Sequence, residues 1–304
     1  MTEEAEVVDS PKTPSLREDL MVLVKLRLNI FVLITAFFGF LIATLSGGEG
    51  WGLSRLLLLF NTLLGTAAAA FGASVFNQLM EIKEDARMRR TADRPLPAER
   101  VLPLPAFLLG WILSGFGVIH LAATVDRGAS LLAAITIATY VFVYTPLKRR
   151  SSVNTLVGAI PGAIPPLMGW VGGGGAMADP RGWFLFAILF FWQLPHFVSI
   201  NWLCREQYEE AGFRMWSDGD ESGRRSGYLA SLFSVVLGAL ALVGPLVGYT
   251  GWFFGGVGLG AGLLLAWLAA KFASSGERPA FRRFFLLTLL YLPVVLTVLA
   301  IDWN

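Results

Sequence analysis

A chain of 304 residues with 55% hydrophobic and only 15% charged residues, and a mean hydropathy of +0.62, is suited to lipid; soluble domains carry about 25% charged residues. A net charge of +2, with no basic tail or stripe, excludes a nucleic-acid partner. The single cysteine, Cys204, excludes internal disulfides and thiolate metal clusters, and two histidines, His120 and His196, are too few for a multi-haem protein with bis-histidine ligation.

Residues 1–21 read as a polar N-terminal tail carrying Glu3, Glu4, Glu6 and Asp9. That is the wrong composition for an Arg-rich transit peptide, and the apolar segment that follows is too long for a signal-peptide core, so no cleavage is expected. Residues 22–304 read as a single transmembrane domain. A spanning helix needs about 20 mostly apolar residues. That length finds nine, at 22–45, 54–78, 102–122, 130–146, 154–172, 183–203, 228–248, 252–270 and 284–302. The predicted fold class is therefore an all-α membrane protein of nine helices. The Gly-rich eighth segment is the weakest in apolar side chains, although Gly256 and Gly260, and the offset pair Gly258 and Gly262, suit close helix packing.

Basic residues fix the expected orientation. The N-terminal region, with Lys12, Arg17, Lys25 and Arg27, and four alternate loops hold 21 of the 24 lysines and arginines. Only Arg55, Arg127 and Arg181 fall on the opposite side. The positive-inside rule then places the N-terminus in the cytosol and, after nine spans, the C-terminus outside.

Two of the expected cytosolic loops are longer than a connection needs, and both begin with acids at helical spacing. Asn77, Glu81 and Asp85 end the second helix. Steps of four residues hold them within roughly an 80° arc, about 6 Å apart along the axis. Such oxygen ligands suit Mg²⁺, which takes a few carboxylates plus substrate phosphate oxygens; the alternative is a solvated helix end paired with Lys83 and Arg87. In the run from Met88 to Pro97, Pro95 pushes Arg94 towards an extended conformation. Arg90 and Arg94 then lie on a loop able to fold back and grip a diphosphate. The sixth helix leaves the membrane through Glu206 and Glu210, again four apart, as a second acidic end or as an ordinary solvated pair. His196 lies inside that helix, beside Pro195, where an ionisable residue is a functional candidate by default; a histidine hydrogen-bonded to a neighbouring carbonyl is the other reading. The fifth span, with Pro161, Pro165 and Pro166 among glycines, reads as an irregular helix walling an internal pocket.

These residues together resemble the UbiA superfamily of intramembrane prenyltransferases over nearly the whole chain. The resemblance lies in Lys25-Leu26-Arg27, where the family usually has Lys-Pro-Arg, and most specifically in Asn77…Glu81…Asp85…Met88-Arg89-Arg90-Thr91…Arg94-Pro95-Leu96-Pro97. It continues through Tyr144-Thr145-Pro146-Leu147-Lys148-Arg149-Arg150 with Asn154, and through Pro165-Pro166-Leu167-Met168-Gly169-Trp170. Pro195-His196-Phe197, followed by Tyr208…Ala211-Gly212…Met215, selects the haem-prenylating branch over the quinone and chlorophyll branches. Glu81 stands where an Asp is usual, and Glu206-Gln207-Tyr208 where Asp-Asp-Tyr is usual; Gln207 lacks the charge and is not counted as a ligand.

The resemblance implies a nine-helix bundle with a central cavity open to the cytosol and a lateral exit to lipid, in the inner membrane of a bacterium. It implies Mg²⁺ on Asn77, Glu81, Asp85, Glu206 and Glu210, with Arg90 and Arg94 joining the first motif in catalysis. Lys25, Arg27, Tyr144, Lys148, Asn154, His196, Glu206, Tyr208 and Glu210 would bind substrate. The implied reaction transfers farnesyl from farnesyl diphosphate to a vinyl group of haem b with addition of water. The implied protein contacts are haem A synthase or a terminal oxidase. Transfer to a quinone precursor or chlorophyllide is the alternative within the superfamily. A transporter is the alternative outside it, but would be expected to carry its sites near the midplane.

Overall fold

A computed structural model describes residues 14–48 and 50–304. Nine helices among the described residues are long and apolar enough to cross a membrane. They are Leu26–Ser46, Leu53–Met80, Pro103–Thr124, Arg127–Leu147, Asn154–Gly172, Pro180–Leu203, Arg224–Leu246, Trp252–Ser275 and Arg278–Ile301, taken below as the first to ninth spans. Caps set several ends. Asp126 and Asp179 accept backbone N–H groups at the starts of the fourth and sixth spans, and Gly276, at φ +67°, ends the eighth.

Most of the expected tail lies outside the described residues, as do Glu3, Glu4, Glu6, Asp9 and Lys12. Its last part is not a tail. Ser15 and Glu18 form a reciprocal capping box that starts a helix over Leu16–Leu23. The first span therefore begins at Leu26 rather than 22, after a break at Lys25, whose φ of +49° is left-handed. Buried Gln78 donates to the Val22 and Leu23 carbonyls, closing the C-terminal end of the short helix. Arg100 holds Asp19 through Nε and Nη2 at 2.8–3.1 Å and also grips Asp93. The Asp19 hydrogen bonds raise the Arg100 pKa above its ordinary value.

Backbones approach where side chains vanish. A methyl group added at Gly39 of the first span would collide with the Pro166 carbonyl, and one at Gly169 with the Ala36 carbonyl. This contact joins the first span to the largely buried fifth. In the eighth span, Gly258 and Gly262 meet Ala241 and Gly238 of the seventh, whereas Gly256 and Gly260 face open space. Only one of the two glycine pairs expected to pack does so.

The fifth span is not irregular. It stays α-helical from Asn154 to Gly172 through all three prolines. Each proline removes one N–H, and packing against neighbouring spans holds the helix in place. The irregular backbone lies in the fourth span, where Thr139–Tyr144 widens into a π-helix. The two acid-bearing helices also bend. The second span stops at Met80 and resumes as Ile82–Asp85, and the sixth stops at Leu203 and resumes as Arg205–Glu210.

In a Cys204→Ser background, a cysteine at exposed Glu221 should react with an impermeant thiol reagent only from the cytosolic side. One at exposed Gly50 should react only from outside. Labelling of both positions from one face contradicts nine alternating spans.

Candidate active site

The bend after Met80 gathers charge. Glu81 and Asp85 are 3% and 1% exposed, and an unpaired carboxylate at such depth costs about 3–5 kcal/mol. Each has a cation. Lys148 Nζ lies 2.9 Å from Glu81 Oε1 and donates to Oε2 at 3.2 Å, while Arg94 Nη1 donates to Asp85 Oδ2 at 2.7 Å. The loop carrying Arg94 does fold back, pinned by the Thr91 hydroxyl donating to the Asp85 carbonyl at 2.9 Å. Lys25 Nζ donates to Asn77 Oδ1, and Asn77 Nδ2 donates to Thr145 Oγ1 at 2.9 Å. Burial, then the neighbouring charges of Arg94 and Lys148, bring the Lys25 pKa down to about 7 against the pull of Glu81 and Asp85. Burial also opposes the Lys148 charge, but Glu81, Tyr144 and Tyr140 outweigh it and hold that pKa above its ordinary value.

Beneath this cluster lies a mostly apolar cavity of about 420 Å³. Tyr140 and Tyr144 separate the two. Their rings stack at 5.4 Å, Lys25 Nζ donates to the Tyr140 hydroxyl at 3.4 Å, and Lys148 Nζ sits 4.7 Å from the Tyr144 ring centre. His196 lines the deeper wall with Trp192 and Gln193. It is stacked between Trp192 at 5.2 Å and Phe285 at 4.9 Å. The Thr288 hydroxyl donates to the Phe285 carbonyl at 2.6 Å, so its oxygen accepts from His196 Nδ1, 2.9 Å away. Nδ1 therefore carries the proton, and the Nε2 lone pair is free.

The structure does not bring all the expected residues together. Asn77, Glu81, Asp85, Arg94, Lys25 and Lys148 meet, and Arg27 and Tyr144 line the cavity. Arg90 reaches the other long loop, its backbone N–H donating to Gln207 Oε1 at 3.2 Å and its guanidinium to the Tyr208 hydroxyl at 3.4 Å. Glu206 does not join the first motif. It is exposed and paired with Arg205 at 3.1 Å and Arg278 at 3.6 Å, and Glu210 is exposed at the end of the same short helix. Past the bend at Cys204 it is Gln207 and Tyr208, not the acids, that meet Arg90. Asn154 spends both amide hydrogens on the Ser151 and Arg214 carbonyls, a loop-joining role. Sequence reasoning missed Tyr140, Thr145 and Thr288. For Tyr140 the four-residue spacing from Tyr144 was an available signal.

A model of the UbiA prenyltransferase family matches residues 32–290. The chain belongs to that family. It is 39% identical over 294 residues to a protein of Opitutus terrae named protoheme IX farnesyltransferase, covering 96% of this chain and 97% of that one. An Anaeromyxobacter sp. protein of the same name is also 39% identical, with 95% of each chain covered. A solved UbiA homologue from Archaeoglobus fulgidus bound to GPP and Mg²⁺ has the same fold, with a TM-score of 0.63 at 15% identity over 92% of this chain and 99% of that one.

Family membership makes metal-assisted prenyl transfer the chemistry to test against these residues. Among the described residues no three of His, Cys, Asp and Glu cluster around one metal position. The donor set is instead two carboxylates, each held by a single cation, and the Asn77 amide. Carboxylates that keep further lone pairs, in an incomplete oxygen set, fit Mg²⁺, which keeps places for substrate phosphate oxygens. As a UbiA-family enzyme, the protein should lose about a hundredfold or more in turnover as Asp85→Asn and remain folded, since partly exposed Arg94 regains water. Glu81→Asp should retain much of the rate. Near-normal turnover of Asp85→Asn across a Mg²⁺ titration contradicts this assignment.

Proposed function

We propose that the chain transfers a farnesyl group from farnesyl diphosphate to a vinyl carbon of haem b, with water completing the addition to give haem O and diphosphate. The carrying observation is the junction of two chemically opposite chambers. Half-buried Lys25, Lys148 and Arg94, gathered around buried Glu81 and Asp85, meet an apolar cavity across stacked Tyr140 and Tyr144. The relatives' shared name supplies the acceptor.

Each part has a role. Lys25, Lys148 and Arg94 receive the diphosphate, and Arg90 closes from the loop that touches Tyr208. Glu81, Asp85 and Asn77 would hold Mg²⁺, which when bound neutralises charge developing on the departing diphosphate. Tyr140 and Tyr144, which line the cavity beside the lysines, would stabilise the allylic cation by cation–π attraction. The apolar walls keep bulk water from that cation until it meets the vinyl group. His196 presents free Nε2 to haem, through the iron or an ordered water beside the macrocycle. The acid-bearing end faces the cytosol, in keeping with the 21-to-3 division of basic residues. The product would pass to haem A synthase or to a terminal oxidase.

Two variants form a crossed test, read by haem absorbance and by calorimetry with farnesyl diphosphate. His196→Ala should weaken haem b binding about tenfold or more and leave the diphosphate affinity nearly unchanged. Asp85→Asn should do the reverse. Thr288→Val should follow His196→Ala in direction, while Thr288→Ser keeps the wild-type affinity because it keeps the hydroxyl. Equal losses of both ligands in His196→Ala return this histidine to helix packing.

A further inference from the structure

A second concave site, of about 580 Å³, shares no lining residue with the apolar cavity and includes none of Asn77, Glu81 and Asp85. Arg149, Arg150, Arg214 and Arg225 line it, opposed by a single acid, Asp218. Two of these guanidiniums are committed. Arg149 pairs with Glu84 at 3.2 Å and donates to the Met80 carbonyl, while Arg225 donates to the Trp216 and Asp218 carbonyls. Arg150 and Arg214 are exposed and have no acid within 4.0 Å among the described residues. Asp218, whose Oδ1 accepts the Met215 backbone N–H at 3.0 Å, forms no ion pair within 4.0 Å with either, and one carboxylate leaves the four guanidiniums in excess.

The location defines the ligand. Arg150 follows the end of the fourth span at Leu147, and Arg225 opens the seventh span at Arg224–Leu246. Both arginines thus stand at the membrane boundary. Leu229, one turn into the seventh span, lines the pocket, as does Trp216, which stacks on Phe233 of that span at 5.6 Å. A basic rim above an apolar wall at this depth fits an amphiphilic anion. Free inorganic phosphate would leave the wall unused.

We propose that this pocket seats the headgroup of an anionic phospholipid, its phosphodiester between Arg150 and Arg214 and its glycerol and upper chains along Trp216 and Leu229. Guanidinium forks match phosphate oxygens, and basic pockets between spans are the usual form of headgroup recognition. The seat borders the reaction centre through Arg149, which reaches the Met80 carbonyl, and through the backbone of Arg214. The Arg214 backbone N–H donates to the Lys148 carbonyl at 2.7 Å, a main-chain bond that does not depend on the Arg214 side chain.

The test uses the full chain in phosphatidylcholine vesicles with and without phosphatidylglycerol, followed by native mass spectrometry of retained lipid. Wild type should retain phosphatidylglycerol over phosphatidylcholine by about tenfold or more. The Arg150→Gln, Arg214→Gln double variant should lose that preference while its farnesyl diphosphate affinity is unchanged. If the double variant does not fold, Arg150→Gln alone, at an exposed side chain, should reduce the preference severalfold. No preference in wild type, or an intact one in the variants, overturns the proposal. So does inorganic phosphate binding that removes the preference at equal concentration. A variant that loses affinity for haem b, but not for its propionate diester, with lipid retention intact, assigns the pocket to haem carboxylates and also overturns it. The crossed test of Asp85 and His196 is independent of every one of these outcomes.

Discussion

Charges placed at the end of a lipid-embedded bundle must be neutralised by one another, and the active end of this protein is arranged around that requirement. Glu81 and Asp85 are nearly inaccessible, so each needs a cation supplied by a distant part of the chain. Lys148 comes from the loop after the fourth span, and Arg94 from a loop that must reverse to reach Asp85. Once both are in place, Met88 packs with Phe213 and Met215, and Arg90 meets Gln207 and Tyr208. Two loops that hydropathy leaves as connections thereby become the roof of the site.

The same pairing prepares the site for an anionic substrate. Lys25, Lys148 and Arg94 lie close enough that their mutual repulsion helps to lower the Lys25 pKa. In the proposed reaction a diphosphate would relieve that repulsion, and Glu81 and Asp85 would hold a divalent cation. Charge compensation within the protein is thus exchanged for charge compensation with substrate. The π-helical turn at Thr139–Tyr144 brings Tyr140 and Tyr144 into one stack below the exchange. Both rings line the apolar cavity, and Lys148 and Lys25 lie over Tyr144 and Tyr140, 4.7 and 5.9 Å from the ring centres.

The spans were legible because twenty apolar residues in lipid allow few structures. What failed was local. Leu16–Leu23 is too short and too charged to read as a span, so the sequence divides it between the tail and the first span, and its anchor, the Asp19–Arg100 pair, links residues 81 positions apart. Three prolines pointed to a broken fifth span, yet the neighbouring spans hold that helix regular, and the irregular turn lies in the fourth span over Thr139–Tyr144, just before Pro146. Four-residue spacing places Glu206 and Glu210 on one face of the sixth helix, but does not show that the helix stops at Leu203 and that a short helix beyond Cys204 leaves them in solvent. The first motif was easier to read because burial of Asn77, Glu81 and Asp85 agrees with their periodicity. Thr288, 92 residues from His196, left no sequence signal.

The most direct measurement is the mass of the pigment formed when the purified protein is given haem b, farnesyl diphosphate and Mg²⁺. Two chambers meeting at Tyr140 and Tyr144 predict one new haem, heavier by a farnesyl group plus a hydroxyl, formed in step with released diphosphate. Haem recovered unchanged while diphosphate is released to water would contradict the account, because the cation would then escape the cavity built to guide it.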